Sequence, residues 1–151
     1  MEEKFMKEAL KEAKKAFEKD EVPVGAVIVK DNKIIARAHN IKELKGDSTQ
    51  HAEILAIQKA CKKLGAWRLS NCDIYVTLEP CPMCAGALIQ ARIRKLYIGT
   101  QDDKTGACGS VLNLLDYPFN HKIEIEKYIL KEECETILKT FFKQLRNRKK
   151  K

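Results

Sequence analysis

The sequence lacks any long hydrophobic run. Its two most apolar stretches, VPVGAVIV at 22–29 and PMCAGALI at 82–89, fall far short of the roughly 18 residues that a membrane-spanning helix needs. No secretory leader is expected either, since MEEKFMKEAL carries charge from residue 2 and has no apolar core. With four prolines and seven glycines in 151 residues it holds no low-complexity segment, no internal repeat and no interdomain linker. Membrane, secreted, disordered and fibrous classes are therefore set aside. What remains, 44% hydrophobic and 33% charged residues, is the mix of a soluble globular protein. The length fits one domain over residues 1–151, long enough to bury a core without covalent staples.

Six cysteines invite a disulfide framework, but that reading belongs to short secreted chains. In a reducing cytoplasm Cys61, Cys72, Cys108 and Cys134 read as small apolar core residues, and the pair Cys81 and Cys84 stands apart. Charge is distributed unevenly. Of a net +8, six units lie on Lys143, Arg146, Arg148, Lys149, Lys150 and Lys151, a segment with no acid. Such a basic end reads as a nucleic-acid-binding arm or as a solubilising terminus.

Periodicity predicts the element order. Phe5, Met6, Ala9, Leu10, Ala13, Ala16 and Phe17 recur at helical spacing over residues 2–18. VPVGAVIV and KIIARAHN form a hairpin across Asp31-Asn32, with Pro23 at an edge or strand entry. A polar loop at 41–50 precedes the helix HAEILAIQKACKKLG, which ends at Gly65. CDIYVTL is a buried strand, PMCAGALIQAR a helix covered on all sides, KLYIGT a strand and 101–109 a loop. KIEIEKYIL alternates like a half-exposed strand, and Cys134, Ile137, Leu138, Phe141, Phe142 and Leu145 mark a terminal helix. Trp67 reads as packing. This order predicts a three-layer α/β/α sandwich around a mixed five-stranded sheet.

Chemistry concentrates in His51-Ala52-Glu53 and Pro80-Cys81-Pro82-Met83-Cys84, each at a helix start. Two cysteines three apart on a helix point the same way and can share one ion. Pro82 is tolerated in a first turn, and the helix N-terminus favours the thiolates that zinc needs. His51 and Glu53, two apart, would face opposite sides of a regular helix. They serve one site only if it lies off the helix end. One imidazole and two thiolates make three ligands, the count of a catalytic zinc site that keeps a position for water. A structural site would need a fourth ligand from Cys72, Cys108, His39 or His121. Zinc with two thiolates and a neutral imidazole carries no net charge, so a separate base is needed. Glu53 is the carboxylate available to take a proton from the attacking water, deliver it to a ring nitrogen and then protonate the leaving amine. H-x-E with P-C-x-x-C is the known signature of zinc nucleobase deaminases, and the mechanism is that signature's.

HAEILAI and TLEPCPMCAGA resemble the zinc motifs of the cytidine-deaminase-like superfamily. VPVGAVIV, the Asn ending ARAHN, GTQDDKTGACGS, FNH and FFKQLR are similar to bacterial tRNA-specific adenosine deaminases, a likeness running from about Met6 to Arg148. The resemblance implies a cytidine-deaminase-like fold, one Zn2+ per subunit on His51, Cys81 and Cys84, and Glu53 as the proton shuttle. It implies that Asn40 hydrogen-bonds the target adenine, and that Asp102, Lys104 and Phe142 with the basic tail contact a tRNA anticodon loop. It further implies a cytoplasmic homodimer that converts the wobble adenosine to inosine. On its own residues, Asn40 could instead cap a turn, and Phe142 could belong to the core stripe. His39 and His121 read as structural. The chain departs from the family at Asp47-Ser48-Thr49-Gln50, where Asp-Pro-Thr-Ala is usual. The change frees the loop, sets Gln50 beside the metal histidine and bears on the pocket rim. Two rivals stand: a deaminase of free guanine, cytosine or a nucleotide, and a non-catalytic RNA-binding subunit that keeps zinc for folding.

Overall fold

The computed structural model describes residues 2–149. Helix α1 (Glu2–Glu18) buries Phe5, Met6, Ala9, Ala13 and Ala16. Strands β1 (Gly25–Lys30) and β2 (Lys33–His39) form the expected hairpin. Its turn residues Asp31 and Asn32 take φ of 51° and 61°, the left-handed pair that a two-residue turn demands and that Asp and Asn tolerate best. Pro23 lies just before β1, clear of the ladder.

The segment expected as a polar loop contains one helical turn, α2 (Lys42–Lys45). Its orphan amides find a partner far back in the chain. The buried Glu21 carboxylate accepts the N–H of Glu43 at 2.9 Å and of Leu44 at 2.6 Å. Helix α3 (Ala52–Leu64) stops at Gly65, whose φ of 65° closes it. Then follow β3 (Cys72–Leu78), α4 (Pro82–Gln90), β4 (Lys95–Thr100), β5 (Glu124–Lys127) and α5 (Lys131–Lys149). A 3-10 turn at Leu114–Asp116 precedes β5 and packs on α4. The strand expected over KIEIEKYIL is shorter than its alternation suggests. Left-handed backbone at Tyr128 (φ 71°) and Leu130 (φ 54°) breaks the ladder after Lys127.

The sheet order is β2-β1-β3-β4-β5. Strand β1 runs antiparallel to both neighbours, and β3, β4 and β5 are parallel. Ala52, Ala56 and Ala60 of α3 and Ala85, Leu88 and Ile89 of α4 pack on one face with Ile28, Ile74, Val76 and Leu96. The other face holds Phe5, Met6 and Ala9 of α1, Cys134 of α5, and a stacked Tyr75–Tyr97 pair with ring centres 4.1 Å apart. The α/β/α sandwich is thus as the periodicity predicts.

Two expectations about packing change. Helix α4 is covered on one face only, for Met83 is exposed and Gly86 and Ala87 are half-buried. Trp67 is 60% exposed; the Arg68 and Arg92 guanidiniums lie 4.9 and 5.8 Å from its ring, and Leu69 enters the core instead. All six cysteines are free: Cys72, Cys108 and Cys134 are buried, as their apolar reading requires, while Cys61 is half-buried with its thiol against the Trp67 carbonyl. Among the described residues no helix is long and apolar enough to cross a membrane.

Candidate metal centre and substrate groove

The site lies at the carboxyl ends of β3 and β4, the side of an open α/β sheet where loops gather around ligands. His51 is the N-cap of α3 with extended backbone (φ −82°, ψ 151°). It therefore stands off the helix end, while Glu53 sits in the first turn. Cys81 is the N-cap of α4, Pro82 occupies the first turn, and Cys84 follows on the same side. His51 Nδ1 lies 3.8 Å from Cys81 Sγ and 3.5 Å from Cys84 Sγ. All three donor atoms fall within 4.8 Å of one another. Ligands at the usual zinc–nitrogen and zinc–sulfur distances in a tetrahedron stand roughly 3.6 Å apart, so the donor set fits one such ion. Among the described residues, none of the four candidate fourth ligands joins the cluster. His39 Nδ1 pairs with Glu12 at 3.0 Å, His121 Nε2 with the Ile93 carbonyl at 2.6 Å, and the Cys72 thiol with the Ser70 carbonyl. Three protein donors would leave one position of a tetrahedral ion free, the count of a catalytic centre.

Electrostatics separate the two thiols. A hydrogen bond from Cys84, with the His51 ring beside it, brings Cys81 down to about 4. Pairing with that thiolate, and then burial, drives Cys84 strongly up. Glu53 is 3% exposed. Burial lifts its carboxyl to about 7, against the opposing pull of a backbone hydrogen bond and the His51 charge. A carboxyl held there exchanges protons readily near neutrality.

Asn40, His51, Glu53 and Cys81 line one pocket of about 170 Å³, walled by Val22 and Leu78. Asn40 is buried, and its Oδ1 accepts the Ala52 N–H at 2.7 Å. It caps the helix that carries Glu53 and also faces the pocket. Val22, Leu78, Asp102 and Thr105 belong equally to a second, larger groove of about 760 Å³ between the 101–105 loop and α5. Lys104, Lys139, Phe142, Arg146 and Lys149 line that groove. Phe141 turns into the core at 4% exposure and Phe142 stays 39% exposed. The Asp102 carboxylate accepts the N–H groups of Lys104 and Thr105 at 3.0 and 3.2 Å, so it shapes the loop. Of the basic end, Arg148 faces away to Asp20 at 3.1 Å, and Lys150 and Lys151 lie outside the described residues.

Gln50, expected beside the metal histidine, points back to Asp47, Nε2 to Oδ2 at 3.4 Å. Asp47 also holds the N–H and hydroxyl of Thr49, at 2.9 and 2.7 Å, so the 47–50 turn closes without a proline. Sequence reasoning passed over Lys42 and Glu79, which also line the small pocket. A cation in a polar loop and a glutamate before a proline carry no periodic signal; only folding brings them there.

The profile of the MafB19-like deaminase family matches residues 1–146. The tRNA-specific adenosine deaminase of Bacillus subtilis (strain 168) is 54% identical over 149 residues, 98% of this chain and 92% of that protein. A solved structure described as part of structural studies of A-to-I editing by tRNA:A34 deaminases superposes with a TM-score of 0.87 at 47% identity. It covers 89% of this chain and 99% of its own. A guanine deaminase from Bacillus subtilis superposes less closely, with a TM-score of 0.65 at 35% identity over 96% and 93% of the two chains.

Proposed function

Because the chain belongs to the MafB19-like deaminases, and within them to the tRNA-specific adenosine deaminases, we propose that it hydrolyses the wobble adenosine of a tRNA anticodon loop to inosine. One observation carries this reading: the small pocket around Glu53 shares walls with a groove where Lys104, Lys139, Arg146 and Lys149 outnumber Asp102 and Asp103 and Phe142 is exposed. A pocket of that kind takes a single flipped base. A basic groove with an aromatic takes the single-stranded loop from which the base comes. A free-base enzyme has no use for the groove.

His51, Cys81 and Cys84 would hold one Zn2+, which when bound supplies Lewis-acid activation of water. Glu53 accepts the proton that the attacking water gives up as its oxygen joins C6 of adenine. It passes that proton to the ring nitrogen N1, then takes the remaining proton from the new C6 hydroxyl and gives it to the amino nitrogen, so that the C6–N6 bond breaks, ammonia leaves and C6 becomes a carbonyl. Asn40, already fixed by Ala52, orients the base through its remaining hydrogen-bonding capacity. Lys104, Arg146 and Lys149 meet phosphates, and Phe142 stacks on a neighbouring base. The half-open apolar face of α4, with exposed Met83, and the exposed Val111 and Leu112 suit a second copy of the chain, giving a homodimer that acts in the cytoplasm.

The test is an anticodon hairpin bearing adenosine at the wobble position, scored for inosine by mass. Glu53→Gln and free guanine and cytosine run alongside. Inosine from the wild type and none from the variant is expected. Turnover of a free base with an untouched hairpin would transfer the chemistry to a different substrate.

A further inference from the structure

A second buried carboxylate, Glu79, lines the same small pocket as Glu53. Glu79 directly follows β3, two residues before Cys81, and is 4% exposed. Its Oε1 accepts the Asp102 N–H at 3.0 Å and the Ser110 hydroxyl. Its Oε2 accepts the N–H groups of Cys108 at 2.9 Å and Ser110 at 3.1 Å. Donors from both ends of the 102–110 segment thus converge on one side chain. Between them, Gly106 lies so close that a Cβ there would overlap the Glu79 carboxyl carbon. The Gly106 N–H closes onto the Asp102 carbonyl at 2.9 Å, and the Ala107 N–H bonds the Pro80 carbonyl at 2.9 Å. The loop is therefore wrapped around the carboxylate and tied to the residue preceding Cys81.

The same loop supplies two of the four walls common to both cavities, Asp102 and Thr105, and the groove cation Lys104. A charged acceptor with four donors is strong, and each backbone N–H it serves would otherwise be left without a partner. We propose that Glu79 is a positioning residue for the deamination: it locks the substrate loop to the segment bearing Cys81 and Cys84, and so fixes where RNA enters relative to the catalytic pocket. This rests on the function proposed above, since the RNA is the ligand being placed. Glutamine at this position keeps one acceptor oxygen and turns an amide donor toward backbone N–H groups that already donate. The loop then loses about half its anchorage, while the side chain keeps its volume.

Three measurements on full-length protein loaded with zinc test this role. In Glu79→Gln, amide exchange in the 102–110 segment should quicken while β1 and β3 stay protected. Zinc per chain should match the wild type. The KM for the wobble-adenosine hairpin should rise on the order of tenfold, the effect of weakening a charged hydrogen bond, with a smaller change in kcat. Ser110→Ala, which removes one donor, should move exchange and KM in the same direction by less. Unchanged exchange, or activity lost in proportion to zinc with KM unmoved, would reduce Glu79 to a structural residue and overturn the proposal. If Glu79→Gln does not fold, the exchange and KM of Ser110→Ala decide in its place. If the wild type leaves the hairpin untouched, the functional reading fails, and the exchange data alone decide whether Glu79 anchors the loop.

Discussion

His51 and Glu53 share a pocket because one of them is not on the helix. The extended backbone of His51 sets it off the end of α3 as the N-cap, and Glu53 in the first turn lines the same pocket. Glu53→Gln removes proton transfer and keeps the shape, so turnover should fall by about 10²- to 10⁴-fold. Zinc content, measured by metal analysis, should stay at one per chain. Asn40→Ala removes the acceptor of the Ala52 N–H and, under the proposed function, the contact to the base. The cap is worth about 1 kcal/mol of stability, read as a lower melting temperature; a rise in KM for the hairpin reads the base contact. The motif residues were legible because their spacing is local: a histidine at an N-cap, and two cysteines one helical turn apart. The partners of Asn40 and Glu79 were not, since each is set by a segment that only folding brings near. The departure at Ser48 and Gln50 shows the limit, for the glutamine is held by Asp47 and not by the site.

Helix α1 can lie against β1 because Gly25 has no side chain; a Cβ there would overlap the Ala9 carbonyl oxygen. Gly25→Ala should therefore destabilise by about 1–3 kcal/mol, as overpacking does, and lower the melting temperature by several degrees. The same helix is pinned to β2 by polar contacts. Lys11 and then Arg37 hold the Glu8 carboxyl below its usual 4.5. Burial pushes Glu12 up, but Lys15 and His39 together outweigh it and leave it lowered from 4.5. Lowered carboxyls give stability that is present above the unfolded value and is lost as pH falls through the folded one. Melting temperature should thus drop below about pH 4.5, more gently in Glu12→Gln; an identical acid limb in both would show that Glu12 contributes nothing to it. At this scale helices α1, α3, α4 and α5 and the hairpin follow from periodicity and turn residues. The turn α2 and the length of β5 do not. One depends on Glu21, about twenty residues away, and the other on left-handed residues at 128 and 130.

The net charge of the molecule is +8, and its effect depends on where it points. Lys104, Lys139, Arg146 and Lys149 line the groove, while Arg148 is spent on Asp20. If roughly three to four of these cations meet phosphates of a single-stranded loop, the KM for RNA should climb about as the second to third power of salt concentration. A free-base substrate would show almost no such slope. Removing zinc with a chelator should abolish turnover and leave the sheet folded, because three ligands at two helix starts are not what holds the core. The central claim, that a zinc-dependent site acts on adenosine presented by RNA, is tested most directly by one comparison. Wild-type protein is incubated with the wobble-adenosine hairpin and, separately, with free adenine, adenosine, guanine and cytosine, and the products are read by mass. Inosine in the hairpin with the free compounds unchanged is the expected result. Deamination of a free base beside an intact hairpin would contradict it.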